Sequence, residues 1–280
     1  GPGPIAALAP LRPPAPPEAV LRLPAPLTVR QAALPQIQRK LALVIGNDNF
    51  SDTRIPTLAN AIADAQAVGE VFEKTLGYQV LVVRNGSKAA IVRAFNQLAA
   101  VAGPNDSILV YYAGHGELVE KTGLGYWQPA DADATRPETW LSNADIGRLL
   151  GLFGSRQVAL ISDSCFSGSL VSDERIRGSN QVPDLQALLA RRAAVVMSSG
   201  GNEPVFDAGK NGHSSFAWNL MRSLEKVPAW RPGGNVFEQV RFAVAREVPQ
   251  RPQYGASRLG GHQSGTDYLF ELRALEGGTR

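Results

Sequence analysis

The sequence predicts an α/β domain: a mostly parallel central sheet of about six strands with helices on both faces. Three observations predict it. Short apolar runs alternate with segments of helical spacing from residue 41 to residue 272. The runs are apolar at consecutive positions, as strands covered on both faces are. They end in Gly- and Ser-rich polar stretches, where parallel sheets turn and bind ligands.

Each element has its own signal. Residues 41–45 form an apolar run that stops at Gly46-Asn47-Asp48. Over 58–76, Leu58, Ile62, Ala65, Val68, Val71, Phe72 and Leu76 share one helical face, and Gly77 ends it. A strand at 78–83 follows, then a helix at 88–101 with Ser87 as N-cap. The third strand, 106–113, is apolar on both faces from Ile108 to Tyr112. A helix at 143–152 leads into a fourth strand at 157–162. Beyond Cys165 the regularity breaks, and the polar stretch 169–183, with Arg175 and Arg177, reads as an exposed loop. A fifth strand at 193–199, helices at 214–224 and 236–248, and a last strand at 266–272 complete the domain.

Composition divides the chain. Ten of the 20 prolines lie in the first 35 residues, so residues 1–39 read as an extended arm or linker. The main domain is then 40–272, with a first half at 40–168, an inter-half loop region at 169–192 and a second half at 193–272. A short tail, 273–280, follows. The chain of 280 residues has a net charge of +3. Arg12, Arg22, Arg30, Arg39 and Lys40 against Glu18 put +4 in residues 1–40, leaving −1 for the rest. The folded part is not basic, which argues against a nucleic-acid partner. One cysteine excludes an internal disulfide framework and a multi-Cys zinc site, and three histidines exclude a His-rich metal cage. A lone cysteine favours a cytoplasmic protein, with an exported one left open. No apolar run reaches membrane-span length. No GxGxxG follows the first strand and no GxxxxGK[ST] occurs, so a nucleotide-binding reading fails.

Two neighbouring strands end in reactive chemistry. The third runs into Tyr112-Ala113-Gly114-His115-Gly116, the fourth into Ser162-Asp163-Ser164-Cys165-Phe166-Ser167-Gly168. A thiol needs a base or a positive environment to become a nucleophile, and an imidazole supplies one. The flanking glycines let a substrate backbone approach. A lone cysteine is more often a small core residue. The polar Asp-Ser before Cys165 and Ser-Gly after it do not suit a core strand.

With these strings, the chain resembles the caspase-like cysteine peptidases, in particular the metacaspase branch and its bacterial relatives. The resemblance spans about 40–272. It also rests on Leu43-Val44-Ile45-Gly46-Asn47, Leu58-Ala59-Asn60-Ala61 with Asp64-Ala65, Ser198-Ser199-Gly200 with Glu203, Gly212-His213-Ser214-Ser215-Phe216 and Gln250-Arg251-Pro252-Gln253-Tyr254. His115 lies 50 residues before Cys165, a spacing associated with caspases. The resemblance implies a Cys165–His115 dyad hydrolysing peptide bonds, with the backbone N–H groups of Gly116 and Cys165 as oxyanion hole. It implies protein or peptide substrates. Asp163 and Asp64 match positions that line an acidic pocket for Arg, or less often Lys, at P1, and two carboxylates suit a guanidinium. Asp163 also reads as a turn cap, and Asp64 as a helix-dipole partner.

The sequence departs from the branch in having Phe166 where many members have His, and Ala113 where they have Ser. No cofactor is required. Some members need calcium, but Asp131, Asp133 and Asp173 make only an incomplete cluster, so that dependence is not carried over. His213 and His262 read as structural or surface residues. Arg175, Arg177, Arg191 and Arg192 lie between the halves as candidate self-cleavage sites. The arm is expected to contact another domain, a partner or the acidic pocket itself, through Arg12, Arg22 or Arg30. The alternative function is a weak or inactive caspase-like binding module, against which the retained His115 and Cys165 argue.

Overall fold

The computed structural model describes residues 37–200 and 209–272. Most of the Pro-rich arm, Glu203 and the tail 273–280 lie outside the described residues.

Strand β1 (Arg39–Gly46) is buried from Lys40 onward. Helix α1 (Ala61–Lys74) starts later than its apolar spacing predicts. Leu58 donates its backbone N–H to Asp48 O (2.9 Å), so it belongs to the preceding loop. The helix ends before Gly77, which takes a φ of 76°. Strand β2 (Gln79–Arg84) and helix α2 (Lys88–Val101) follow, with Ser87 Oγ accepting from Ala90 N. Strand β3 (Asp106–Ala113) is buried throughout. Strands β4 (Gly116–Val119), β5 (Leu124–Trp127) and β6 (Leu141–Ser142) form a small antiparallel sheet without a sequence signal. Helix α3 (Asn143–Gly151) leads to β7 (Gln157–Asp163). A short helix α4 (Leu185–Ala190), capped by Asp184, precedes β8 (Ala193–Ser198). The hairpin β9 (Gly209–Lys210) and β10 (His213–Ser214) opens helix α5 (Ser215–Glu225). Strand β11 (Trp230–Pro232), helix α6 (Gly233–Glu247), β12 (Gln253–Ala256) and β13 (Leu269–Glu271) complete the order.

The central sheet runs β12-β8-β7-β3-β1-β2. Its first five strands in chain order are parallel, and β12 pairs antiparallel with β8. Alternate residues of each strand feed two cores. Val44, Leu109 and Tyr111 pack with Phe72 of α1, Phe216 of α5 and Val240 of α6. Leu43, Val110 and Tyr112 pack with Phe95 of α2 and Ile146 of α3. This is the expected α/β architecture with helices on both faces.

Two expectations change. The run 266–272 supplies β13, but β13 pairs with β11 outside the central sheet. The sixth central strand is β12, a four-residue segment after Pro252 with little apolar signal. The stretch 169–183 is not all free loop: Ser172 N donates to Ala256 O (2.9 Å) and Ala256 N to Glu174 O (2.9 Å), so 172–176 lies along the outer edge of β12.

Asp267, two residues before β13, is held in the interior. Its buried carboxylate accepts from Tyr254 OH (2.5 Å), Gly234 N at the start of α6 (2.9 Å) and Tyr268 N (2.7 Å). Burial nevertheless pushes its pKa up to about 6. A carboxyl that holds its proton more tightly folded than unfolded contributes stability below its unfolded pKa, and that stability is lost as pH rises through about 6. His262 acts oppositely: burial lowers its pKa, so acid destabilises through it. Thermal melts of wild type and Asp267→Asn from pH 7.5 to 4.5 separate the two. The difference in Tm, wild type minus variant, should grow by several degrees on acidification; a constant difference refutes the assignment.

Candidate active site

Sheet register brings the reactive residues together. β3 and β7 are parallel neighbours in which Ala113 stands beside Asp163. Two residues beyond the end of each strand are His115 and Cys165. Both line one cavity of ≈ 150 Å³, together with Asp64, Ala113, Asp163 and Ser214.

The backbone around the pair is fixed by close contacts. A Cβ on Gly116 would lie 1.8 Å from the carbonyl oxygen of Cys165, so no side chain fits there. A Cβ on Gly114 would lie 2.5 Å from the Tyr112 hydroxyl. That hydroxyl donates to His115 O (2.9 Å), and the Tyr112 ring stacks on Trp127 at 4.0 Å. Burial raises the Tyr112 pKa far above that of a free phenol, so it stays a donor. Trp127 Nε1 donates to Ser162 Oγ (3.1 Å), which contacts Ser164 Oγ (3.0 Å). After Cys165, Phe166 adopts a left-handed φ of 55°, a conformation costing about 1–2 kcal/mol in a non-Gly residue. This sharp bend leads into the 3-10 turn Ser167–Leu170. Ser167 Oγ ties the turn back to Ser164 O (3.0 Å).

The imidazole is held by the loop between β1 and α1. His115 Nε2 lies 2.6 Å from Pro56 O, and the Phe50 ring sits 5.0 Å from the imidazole. A carbonyl only accepts, so Nε2 carries the hydrogen, and in the neutral ring Nδ1 carries the lone pair. The half-buried thiol of Cys165 is free of any disulfide.

Asp64 and Asp163 line the cavity at 2% and 7% exposure, values rare for carboxylates unless donors surround them. Ser214 supplies donors to both. Its N–H reaches Asp64 Oδ2 (3.2 Å), and its hydroxyl donates to Asp163 Oδ2 (2.5 Å). The same Oγ accepts from Ala217 N (2.9 Å) and caps α5. His213 Nδ1 lies 2.8 Å from Asp64 Oδ1. Tyr111 OH points at Asp163 Oδ2 at 3.5 Å. Burial and the charges of Asp163 and Asp64 keep that phenol protonated.

The structure thus brings His115, Cys165, Asp64, Asp163 and the Gly116 backbone to one site. Sequence reasoning gave no site role to Pro56, Tyr112, Ser214 or His213, although the last three stand in the strings that carry the resemblance. Ser214 carried a faint signal as a Ser opening a helical pattern; the Pro56 carbonyl carried none. His213, read as structural or surface, touches a carboxylate of the cavity. His262 accepts from Ala194 N (3.0 Å) at the start of β8 and is structural.

Among the described residues no group of three or more His, Cys, Asp or Glu could hold a metal ion. Asp131 accepts from Lys88 N (2.9 Å), Asp133 from Thr135 N (2.9 Å) and Arg54 (3.3 Å), and Asp173 is exposed on the inter-half segment. No helix among the described residues is long and apolar enough to cross a membrane.

A family model described as Caspase domain matches residues 39–261. No curated protein matches the chain. Among solved structures, a protein from Geobacter sulfurreducens matches with a TM-score of 0.55 at 18% identity, covering 82% of this chain and 99% of its own. Caspase-1 from Spodoptera frugiperda matches with a TM-score of 0.60 at 17% identity, covering 84% of this chain and 94% of its own. At these identities the likeness to both is one of fold.

Proposed function

The chain belongs to the caspase domain family, and from that premise we propose that it is a cysteine endopeptidase of metacaspase type, cleaving after Arg and less readily after Lys. The family supports a caspase-like peptidase acting on protein substrates; the basic specificity is our reading. It is carried by one observation: two buried carboxylates, Asp64 and Asp163, line the same cavity as His115 and Cys165. A guanidinium entering there replaces its water with charge-assisted hydrogen bonds. An acidic side chain meets like charge.

In this mechanism the Cys165 Sγ–H gives its proton to His115 Nδ1, and the thiolate attacks the scissile carbonyl carbon. The carbonyl oxygen takes the negative charge and is held by the N–H groups of Gly116 and Cys165. The tetrahedral species collapses, the C–N bond breaks, and the His115 imidazolium protonates the leaving amine. Water then attacks the thioester with His115 as base, releasing the acid and the thiol. The Pro56 carbonyl keeps the Nε2–H in place through both halves.

The same reading bears on self-cleavage. Arg192 spreads its guanidinium over the carbonyls of Leu150, Phe153, Ser155 and Gly260, and Arg175 donates to Ser172 O and Gln253 Oε1. Arg191 donates to Ser264 O. We take Arg177, exposed on the inter-half segment, as the arginine offered for cutting.

A panel of fluorogenic peptides with Arg, Lys, Asp or Ala at P1 tests the function. Wild type should turn over Arg, then Lys, with no measurable Asp; Cys165→Ala should fall to background. Mass spectrometry of the same incubations should find a cut after Arg177 in wild type alone. Turnover of the Asp peptide, or turnover surviving in Cys165→Ala, defeats the proposal.

A further inference from the structure

His213 is placed on the pocket and has no role in the mechanism above. The β9–β10 hairpin turns through Asn211 and Gly212, both at positive φ (54° and 81°), the geometry of a tight two-residue hairpin turn. The turn delivers His213 to the rear of Asp64, with Nδ1 2.8 Å from Oδ1. The ring is one-fifth exposed, at 20%, and lies over Trp218 at 6.4 Å and 22°. It does not line the cavity, so it acts on a substrate through Asp64 and is a positioning residue.

The charged surroundings are known from each packed element. α1 contributes Asp64. β9 contributes Lys210, opposite His213 in the hairpin, with its ammonium held by Glu247 of α6 at 2.5 Å. α5 contributes Arg222, which sits over the Trp218 ring at 5.7 Å. Beyond Asp64 stand Asp163 of β7, Tyr111 of β3 and His115.

A neutral imidazole has one N–H, and facing a carboxylate it places that hydrogen on Nδ1. The ring then orients Asp64 while leaving the carboxylate's charge to the pocket. A second proton turns the contact into an internal ion pair, and Asp64 meets an incoming cation already paired. We propose that His213 gates the P1 pocket by its own charge: neutral, it presents Asp64 to a basic side chain; protonated, it competes with that side chain. The inference rests on the acidic-pocket reading above.

Benzamidine, a small amidine cation that stays charged across the range, is the probe. Its affinity for the full chain is measured by calorimetry from pH 8 to pH 5.5. Wild type should lose about tenfold, the factor equivalent to one pKa unit of coupling. His213→Asn keeps an N–H donor but cannot charge; its affinity should lie within about threefold of wild type at pH 8 and fall clearly less than wild type's by pH 5.5, the remaining fall coming from His115 on the same cavity. An equal loss in wild type and His213→Asn overturns the inference and leaves the pocket standing. No binding to wild type at any pH overturns the pocket reading itself. Should His213→Asn fail to fold, His213→Gln, which also offers an uncharged N–H, gives the second test: a loss of benzamidine affinity from pH 8 to pH 5.5 equal to wild type's overturns the gate.

Discussion

Gly116→Ala is expected to lower kcat/KM for an Arg-P1 peptide by at least about 10²–10³-fold, the loss associated with removing one oxyanion donor. The new methyl carbon would sit 1.8 Å from the carbonyl oxygen of Cys165. That oxygen belongs to a backbone pinned by β7 on one side and by the Ser167 hydroxyl on the other. It has little freedom to retreat, so the β4 backbone must move. The shift carries the Gly116 N–H away from the position at which it would hold the developing oxyanion. It also moves His115, one residue earlier. Foldedness should survive, because β4 belongs to the small three-stranded sheet and none of its own residues is part of either main core, although Trp127 opposite Gly116 is. Overpacking of this kind costs about 1–3 kcal/mol, a drop of several degrees in Tm. Gly154→Ala is the matched control: its methyl meets nothing closer than Ala102 O at 4.0 Å. Gly116→Ala retaining activity within tenfold of that control would remove Gly116 from the oxyanion hole.

What the sequence made legible follows from how each feature is encoded. β3 and β7 carry long runs buried on both faces, so they announce a parallel interior pair. Their shared register then sets His115 beside Cys165, and the two side chains have chemistry that needs a partner. The pocket carboxylates were legible only through the family resemblance, since an Asp before a Cys or inside a first helical turn has ordinary uses. β12 was not legible, because four residues with a Gly and a preceding Pro lack strand patterning. The Pro56 contact was invisible for a different reason: any residue has a carbonyl, and only the fold aims it. The His213–Asp64 contact joins positions 149 residues apart, from a hairpin of two-residue strands that no periodicity marks.

The second large effect falls on Asp163. Asp163→Asn is expected to cut kcat/KM for an Arg-P1 peptide by about 10²–10³-fold, while the Ala-P1 peptide changes less than threefold. Losing one partner of a buried charge pair costs about 2–5 kcal/mol, which brackets the larger figure. The amide keeps an acceptor for the Ser214 hydroxyl, now 2.5 Å from Oδ2, so the cap of α5 and the position of Ser214 are retained. What changes is the charge. Two carboxylates lining one cavity repel one another when both are ionised, and removing one relieves that repulsion in the free enzyme. The Tm of Asp163→Asn should therefore equal or exceed that of wild type, a loss of function without loss of stability. Asp64→Asn tests the coupling. Because Ser214 donates to both carboxylates, the double variant should lose less than the sum of the single losses expressed as free energies. Strict additivity would mean that the two acids bind the substrate independently. Preference for Arg over Ala at P1 kept within threefold in Asp163→Asn would mean that this carboxylate does not read the P1 side chain at all.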